Sequence, residues 1–157
     1  MMPVDVIMVS VKQVHFIEGH WEAIARRALS RIHRELAHSH AFTDAMILER
    51  SEDLIGHLGD WLTSPNSESL ARYEEVGERR AAAHVALHDV VRMLQLLRQS
   101  AIDYVRENEL NDSSITLRAE NELEYDIGRF FDLIIYHMVK GYEAALRHQH
   151  ANAAAAS

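Results

Sequence analysis

The sequence predicts an all-α fold, a helical bundle, on three observations. Two prolines and six glycines are the only strong breakers in 157 residues. Apolar residues recur at steps of three and four, and no long window alternates as a strand does. A chain of this length can enclose a sizeable core as one domain. With no cysteine, disulfides, thiolate metal sites and cysteine nucleophiles are excluded, and a cytoplasmic setting is expected. The 24 acidic residues against 16 basic ones leave a net charge of -8, which repels phosphate backbones and anionic lipid, so nucleic acid is not an expected partner.

Val4 to Val14 is partly apolar, but it contains Asp5 and lacks both a basic flank and a cleavage pattern, so it reads as part of the fold. A first helix is predicted from Phe16 to Ala37, with Trp21, Ile24, Ala28, Ile32 and Leu36 on one face. Between His38 and Ser51 two starts compete, Thr43-Asp44 and Ser51-Glu52-Asp53. A short helical turn is expected there, then a second helix carrying Leu54, Ile55, Leu58, Trp61 and Leu62, closed by the turn cluster Thr63 to Ser67.

From Leu70 to Glu107 nothing breaks the pattern. Ala83, Leu87, Val90, Leu94, Leu97, Ala101 and Tyr104 form a repeat of spacing four and three, which predicts one long helix or two nearly coaxial ones. Asn111 to Ser114 supply a turn and the next N-cap. The last helix, Ile115 to Arg147, carries two apolar lines. Leu123, Ile127, Phe130, Ile134 and Met138 form one, assigned to the core. Phe131, Ile135, Val139, Tyr142 and Leu146 form the other, assigned to a coiled-coil-like seam with a second subunit. The alternative is a central helix wrapped by its own chain. The domain is placed at residues 1–147, with 148–157 as a flexible alanine-rich tail or linker. The apolar run Phe130 to Val139 is too short to cross a bilayer, so no membrane insertion is expected.

Eleven histidines are the most unusual count, and histidine is both a metal ligand and a switch near neutral pH. His84 and His88 are four apart, a spacing that chelates an ion when a third ligand converges from another helix, but no firm third ligand is evident. His137 lies between the apolar lines of the last helix, where a core or interface histidine is the plain reading and a haem ligand the sharper one. No metal site is therefore assigned. Enzyme templates are absent: there is no phosphate loop, nucleophile elbow, zinc-protease pair or Glu-xx-His helix repeat. No catalytic residue is assigned, and binding or signalling is expected.

Gly77 to Tyr104, GERRAAAHVALHDVVRMLQLLRQSAIDY, joins an arginine-bearing helix start to a later Leu-Leu-Arg, and follows Gly-Asp-Trp-Leu at 59–62. After the turn comes LEYDIGRFFDLIIYHMVKGYEAAL, with Asp126 and Asp132 in an apolar helix ending at Tyr142. This ordering, from about Trp21 to Leu146, resembles the RsbRD-type N-terminal sensory domain, the input region of stressosome RsbR proteins and of some sensor histidine kinases. The resemblance implies a globin-like helical bundle that typically lacks haem and dimerises through two long C-terminal helices. It also implies that Arg79 or Arg80, Leu97 and Arg98 mark the long helix. The function implied is a non-catalytic input domain, a homodimer relaying a signal to a kinase, STAS or other partner. No such output module lies within the 157 residues, so the chain is expected to be part of something longer or to act in trans. The competing expectation is a cofactor-binding protein, with haem in a globin-like pocket or a hemerythrin-like di-iron pair on His84, His88 and His137, although the flanking His/Glu/Asp pattern for di-iron is incomplete.

Overall fold

The computed structural model describes residues 4–63, 67–108 and 114–156. Among them are seven helices and no strand: α1 (Val4–Gly19), α2 (Trp21–Glu35), α3 (Asp44–Leu54), α4 (Leu58–Thr63), α5 (Ser67–Ala82), α6 (Leu87–Glu107) and α7 (Ser114–Ala156). The all-α prediction holds. Most of the predicted turn at Thr63 to Ser67 and of the N-cap cluster at Asn111 to Ser114 lies outside the described residues. No helix of the described residues is long and apolar enough to cross a membrane.

The predicted first helix is two. α1 stops at Gly19, and the His20 ring closes the corner on the Phe16 carbonyl at 2.7 Å. α2 then buries Ile24, Ala28 and Ile32 of the predicted face, with Ala25 beside them. Thr43 wins the competition for the next cap: its hydroxyl accepts from the Met46 amide at 3.2 Å, satisfying a donor that the first turn of α3 would otherwise leave open.

Of the two expectations for Leu70 to Glu107, the stretch forms two helices, not one long one. It is broken between Ala82 and Leu87, where His84 adopts φ 57. The His84 amide donates to the Ala81 carbonyl and the Val85 amide to the Arg80 carbonyl, each at 3.0 Å. These are the paired bonds of a Schellman C-cap, here with histidine where glycine is usual. Tertiary geometry explains the break. Gly77 lies on the Met138 backbone and Arg106 bonds to Glu124. A straight helix would separate residues 77 and 106 by roughly 43 Å, whereas residues 138 and 124 of α7 are only about 21 Å apart. Neither one straight helix nor two coaxial ones can span this, so the chain must bend, and it does so at 83–86.

α7 is the centre of the molecule, packed by α1, α4, α5 and α6. One continuous core results, with Tyr73, Phe131, Met93, Leu94 and Leu97 fully enclosed. Residues 148–156, assigned to a tail, continue α7 as helix. Their alanines favour that conformation even where 151–156 are exposed.

Candidate functional site

The structure's most constrained contact is where α5 crosses α7. A Cβ on Gly77 would stand 2.0 Å from the Met138 carbonyl oxygen, and one on Gly141 would stand 1.9 Å from that of Glu74. Two glycines, one on each helix, thus let the backbones touch with no side chain between them. Glycine costs a helix interior about 1 kcal/mol against alanine, so its use on both partners marks a contact only glycine permits. Around it, His137 Nδ1 lies 2.6 Å from Glu74 Oε2, and Tyr142 donates its hydroxyl to the Val85 carbonyl at 2.5 Å, pinning the turn that breaks the long helix.

On its other side α5 faces a polar network. Tyr73 is 1% exposed, and its phenol donates to the Asp53 carboxylate on α3. The Arg50 guanidinium lies 5.2 Å from the Tyr73 ring centroid. Burial first, then the Asp53 charge, pushes the Tyr73 phenol well above its ordinary value, with Arg50 pulling the other way. Tyr73 therefore stays neutral and keeps donating. Trp61 of α4 bonds through Nε1 to the Asp53 carbonyl at 2.9 Å and meets both Tyr73 and Phe130 ring to ring. A polar cleft of about 410 Å³ opens between α3 and α5, lined among others by Arg50, Asp53, Arg72 and Arg79. Behind it, burial and the charges of Arg50 and Arg79 lower the Arg80 pKa. A displacement of α3 or α4 is thus tied by hydrogen bonds and ring contacts to α5, and by backbone contact to α7.

The candidate ligand histidines are not brought together. His84 occupies the left-handed cap, so it no longer shares a helix face with His88, which sits in the first turn of α6 with Nε2 3.5 Å from Asp89. His137 is paired with Glu74. Among the described residues no group of three or more His, Asp or Glu is placed to hold a metal ion.

The line assigned to a dimer seam divides. Phe131 is fully buried and Tyr142 is 7% exposed, so both belong to the chain's own core and offer nothing to a second subunit. The reason is that α7 is covered on several sides by its own chain. Ile135, Val139 and Leu146 remain half-buried.

Gly77, Gly141, Tyr73, Asp53 and Arg50 were not singled out by the sequence. The available signal was an isolated glycine inside each of two strong helical patterns, a position that has a packing reason when it persists.

The sequence model of the family described as RsbT co-antagonist protein rsbRD N-terminal domain matches residues 22–157. No curated protein and no solved structure matches the chain. The family comprises sensory, signalling input domains of stressosome-type proteins.

Proposed function

Because this chain belongs to the family of RsbT co-antagonist rsbRD N-terminal domains, we propose that it is a non-catalytic input domain that passes a shift in its helical core to an output partner through α7. The observation that carries this reading is the shape of α7. It has 43 residues, roughly 65 Å at 1.5 Å per residue, its middle enclosed by four helices and residues 151–156 exposed. A signal that moves α3 or α4 acts on α5 through Asp53, Tyr73 and Trp61. The glycine crossing then hands the displacement to α7, because close-packed backbones have no side chain to absorb it.

In this reading the domain works in the cytoplasm as a homodimer, and a kinase, a STAS-type module or another signalling partner receives the shift. The seam runs along Ile135, Val139 and Leu146. Exposed Leu117 extends that line, since it lies eighteen residues, five turns, before Ile135. The domain needs no haem or iron, a view supported by the separate placement of His84, His88 and His137.

Hydrogen exchange on the Tyr73→Phe variant tests the relay. Faster exchange is expected in α3 and also in α7 beyond Gly141; a change confined to α3–α5 would sink the relay. Sedimentation at micromolar concentration tests the seam, with dimer expected for the parent chain and monomer for Val139→Glu and Leu146→Glu. An absorption spectrum with elemental analysis of the purified protein tests the cofactor statement, which a haem band or stoichiometric iron would overturn.

A further inference from the structure

A groove of about 590 Å³ runs between α4 and α7, away from the glycine crossing. Its apolar wall comprises Trp61 and Phe130, both buried with ring centroids 5.2 Å apart, together with Leu62, Leu133 and the exposed ring of Tyr136. Its polar groups are Asp126, Arg129 and Asp132. This is the size and character of a small-molecule site: mostly apolar, with a few convergent polar groups.

The charges are not balanced from within. Asp132 is bonded to Arg98 at 3.0 Å. The guanidinium of Arg129, the one base in the groove, sits over the exposed Tyr125 ring at 5.7 Å from its centroid. Asp126 is left with no hydrogen bond or ion pair among the described residues. Desolvation by the groove and the Glu122 carboxylate one turn away raise its pKa, with Arg129 opposing. Around Asp126 two carboxylates, its own and that of Glu122, outnumber the single guanidinium of Arg129, so an incoming cation relieves this excess and an incoming anion adds to it.

We propose that this groove binds a small amphipathic cation, an organic amine whose ammonium meets Asp126 and whose apolar body lies against Leu62, Leu133 and Tyr136. Tyr136 lies ten residues, roughly 15 Å, along α7 from Asp126, so its ring meets the apolar end of the ligand rather than the charge. The inference goes beyond the relay reading, because occupancy of the groove is independent of whether α7 transmits anything.

The test pairs two probes of one shape and opposite charge, 2-phenylethylamine and phenylacetate, titrated into the whole chain and followed by tryptophan emission. A Trp21→Phe variant assigns the signal to Trp61, which lines the groove. The amine is expected to bind with saturation, and phenylacetate to bind at least roughly fivefold more weakly. Asp126→Asn is expected to weaken the amine roughly fivefold while leaving circular dichroism and melting unchanged, and Tyr136→Ala to weaken both probes. Both substituted residues are exposed, so neither variant should unfold. No saturable signal from the amine at millimolar concentration overturns the proposal. So does equal or tighter binding of phenylacetate, or an amine affinity indifferent to Asp126→Asn.

Discussion

Two helix pairs in this molecule are held by opposite means. α5 meets α7 backbone to backbone through Gly77 and Gly141. α2 and the turn that follows it meet α6 through a ladder of charged side chains along its edge: Arg27–Glu107, Arg31–Asp103 and Glu35–Arg92 from the helix, and His38–Asp89 from the turn. The residue numbers of the ladder run in opposite directions, which sets the two helices antiparallel. The first contact is short-ranged, dry and intolerant of a single added carbon. The second is solvated and forgiving, since exposed ion pairs contribute about 0–1 kcal/mol each and are screened by salt. Rigid transmission of movement belongs to the first kind, and register belongs to the second.

The largest way to break this contrast is to add one methyl group at the crossing. Gly141→Ala or Gly77→Ala places a Cβ within about 2 Å of a carbonyl oxygen. Backbone must then move, so a loss of about 3 kcal/mol or more is expected, read as a fall in the urea midpoint. Retention of full stability in both variants would mean that the helices are not in backbone contact.

A middle-sized effect lies on the ladder at its most enclosed rung. Asp103 is desolvated, which raises its pKa, but hydrogen bonds from Arg31 and Gln99 outweigh this and hold it below its ordinary value of 3.8. Glu35 is likewise held below 4.5, chiefly by its bond from Arg92. A carboxylate with a depressed folded pKa contributes stability that is complete above its unfolded value and lost as pH falls through the folded one. Asp103→Asn should therefore cost about 1–2 kcal/mol at pH 7. The deficit relative to the parent chain should shrink as pH drops below 3.8. A deficit that stays constant on acidification would place the loss in packing instead.

His84→Gly should act in the other direction. A histidine at φ 57 carries a steric cost that glycine does not, so the variant is expected to gain about 1 kcal/mol, seen as a raised melting temperature. A loss would show that the imidazole makes a contact worth more than the strain.

How much of this was legible follows the same division. Periodicity found the buried face of α2, because Ile24, Ala28 and Ile32 need only a helix and one neighbour. It also found both apolar lines of α7 but not their partners. Phe131 and Tyr142 were placed at a second subunit because a double line records only that two directions are covered, not by which chain. The break at 83–86 was illegible for a different reason. Ala83-His84-Val85-Ala86 contains neither glycine nor proline, and the turn is imposed from outside by Tyr142 on the Val85 carbonyl and by the return of α6 along α7. The Asp53–Tyr73–Arg50 network was illegible because Arg50 and Asp53 on α3 meet Tyr73 on α5, some twenty residues later, a separation that no helical period relates.

The smallest expected effect sharpens the contrast most directly. Arg27 donates to Glu107 at 2.6 Å, and its guanidinium also lies 5.8 Å from the Tyr104 ring centroid. Its side chain is about a third exposed and that of Glu107 more than half. Arg27→Ala should therefore cost only about 0.5 kcal/mol in dilute buffer. Most of that should vanish in 1 M salt, where the Debye length falls to about 3 Å. Gly141→Ala, whose penalty is steric, should lose the same stability at both salt concentrations. Unfolding curves for the two variants at low and high salt make the comparison. A salt-independent loss at Arg27 would assign its role to stacking on Tyr104, leaving Arg31–Asp103 and Glu35–Arg92 as the rungs that hold α2 on α6.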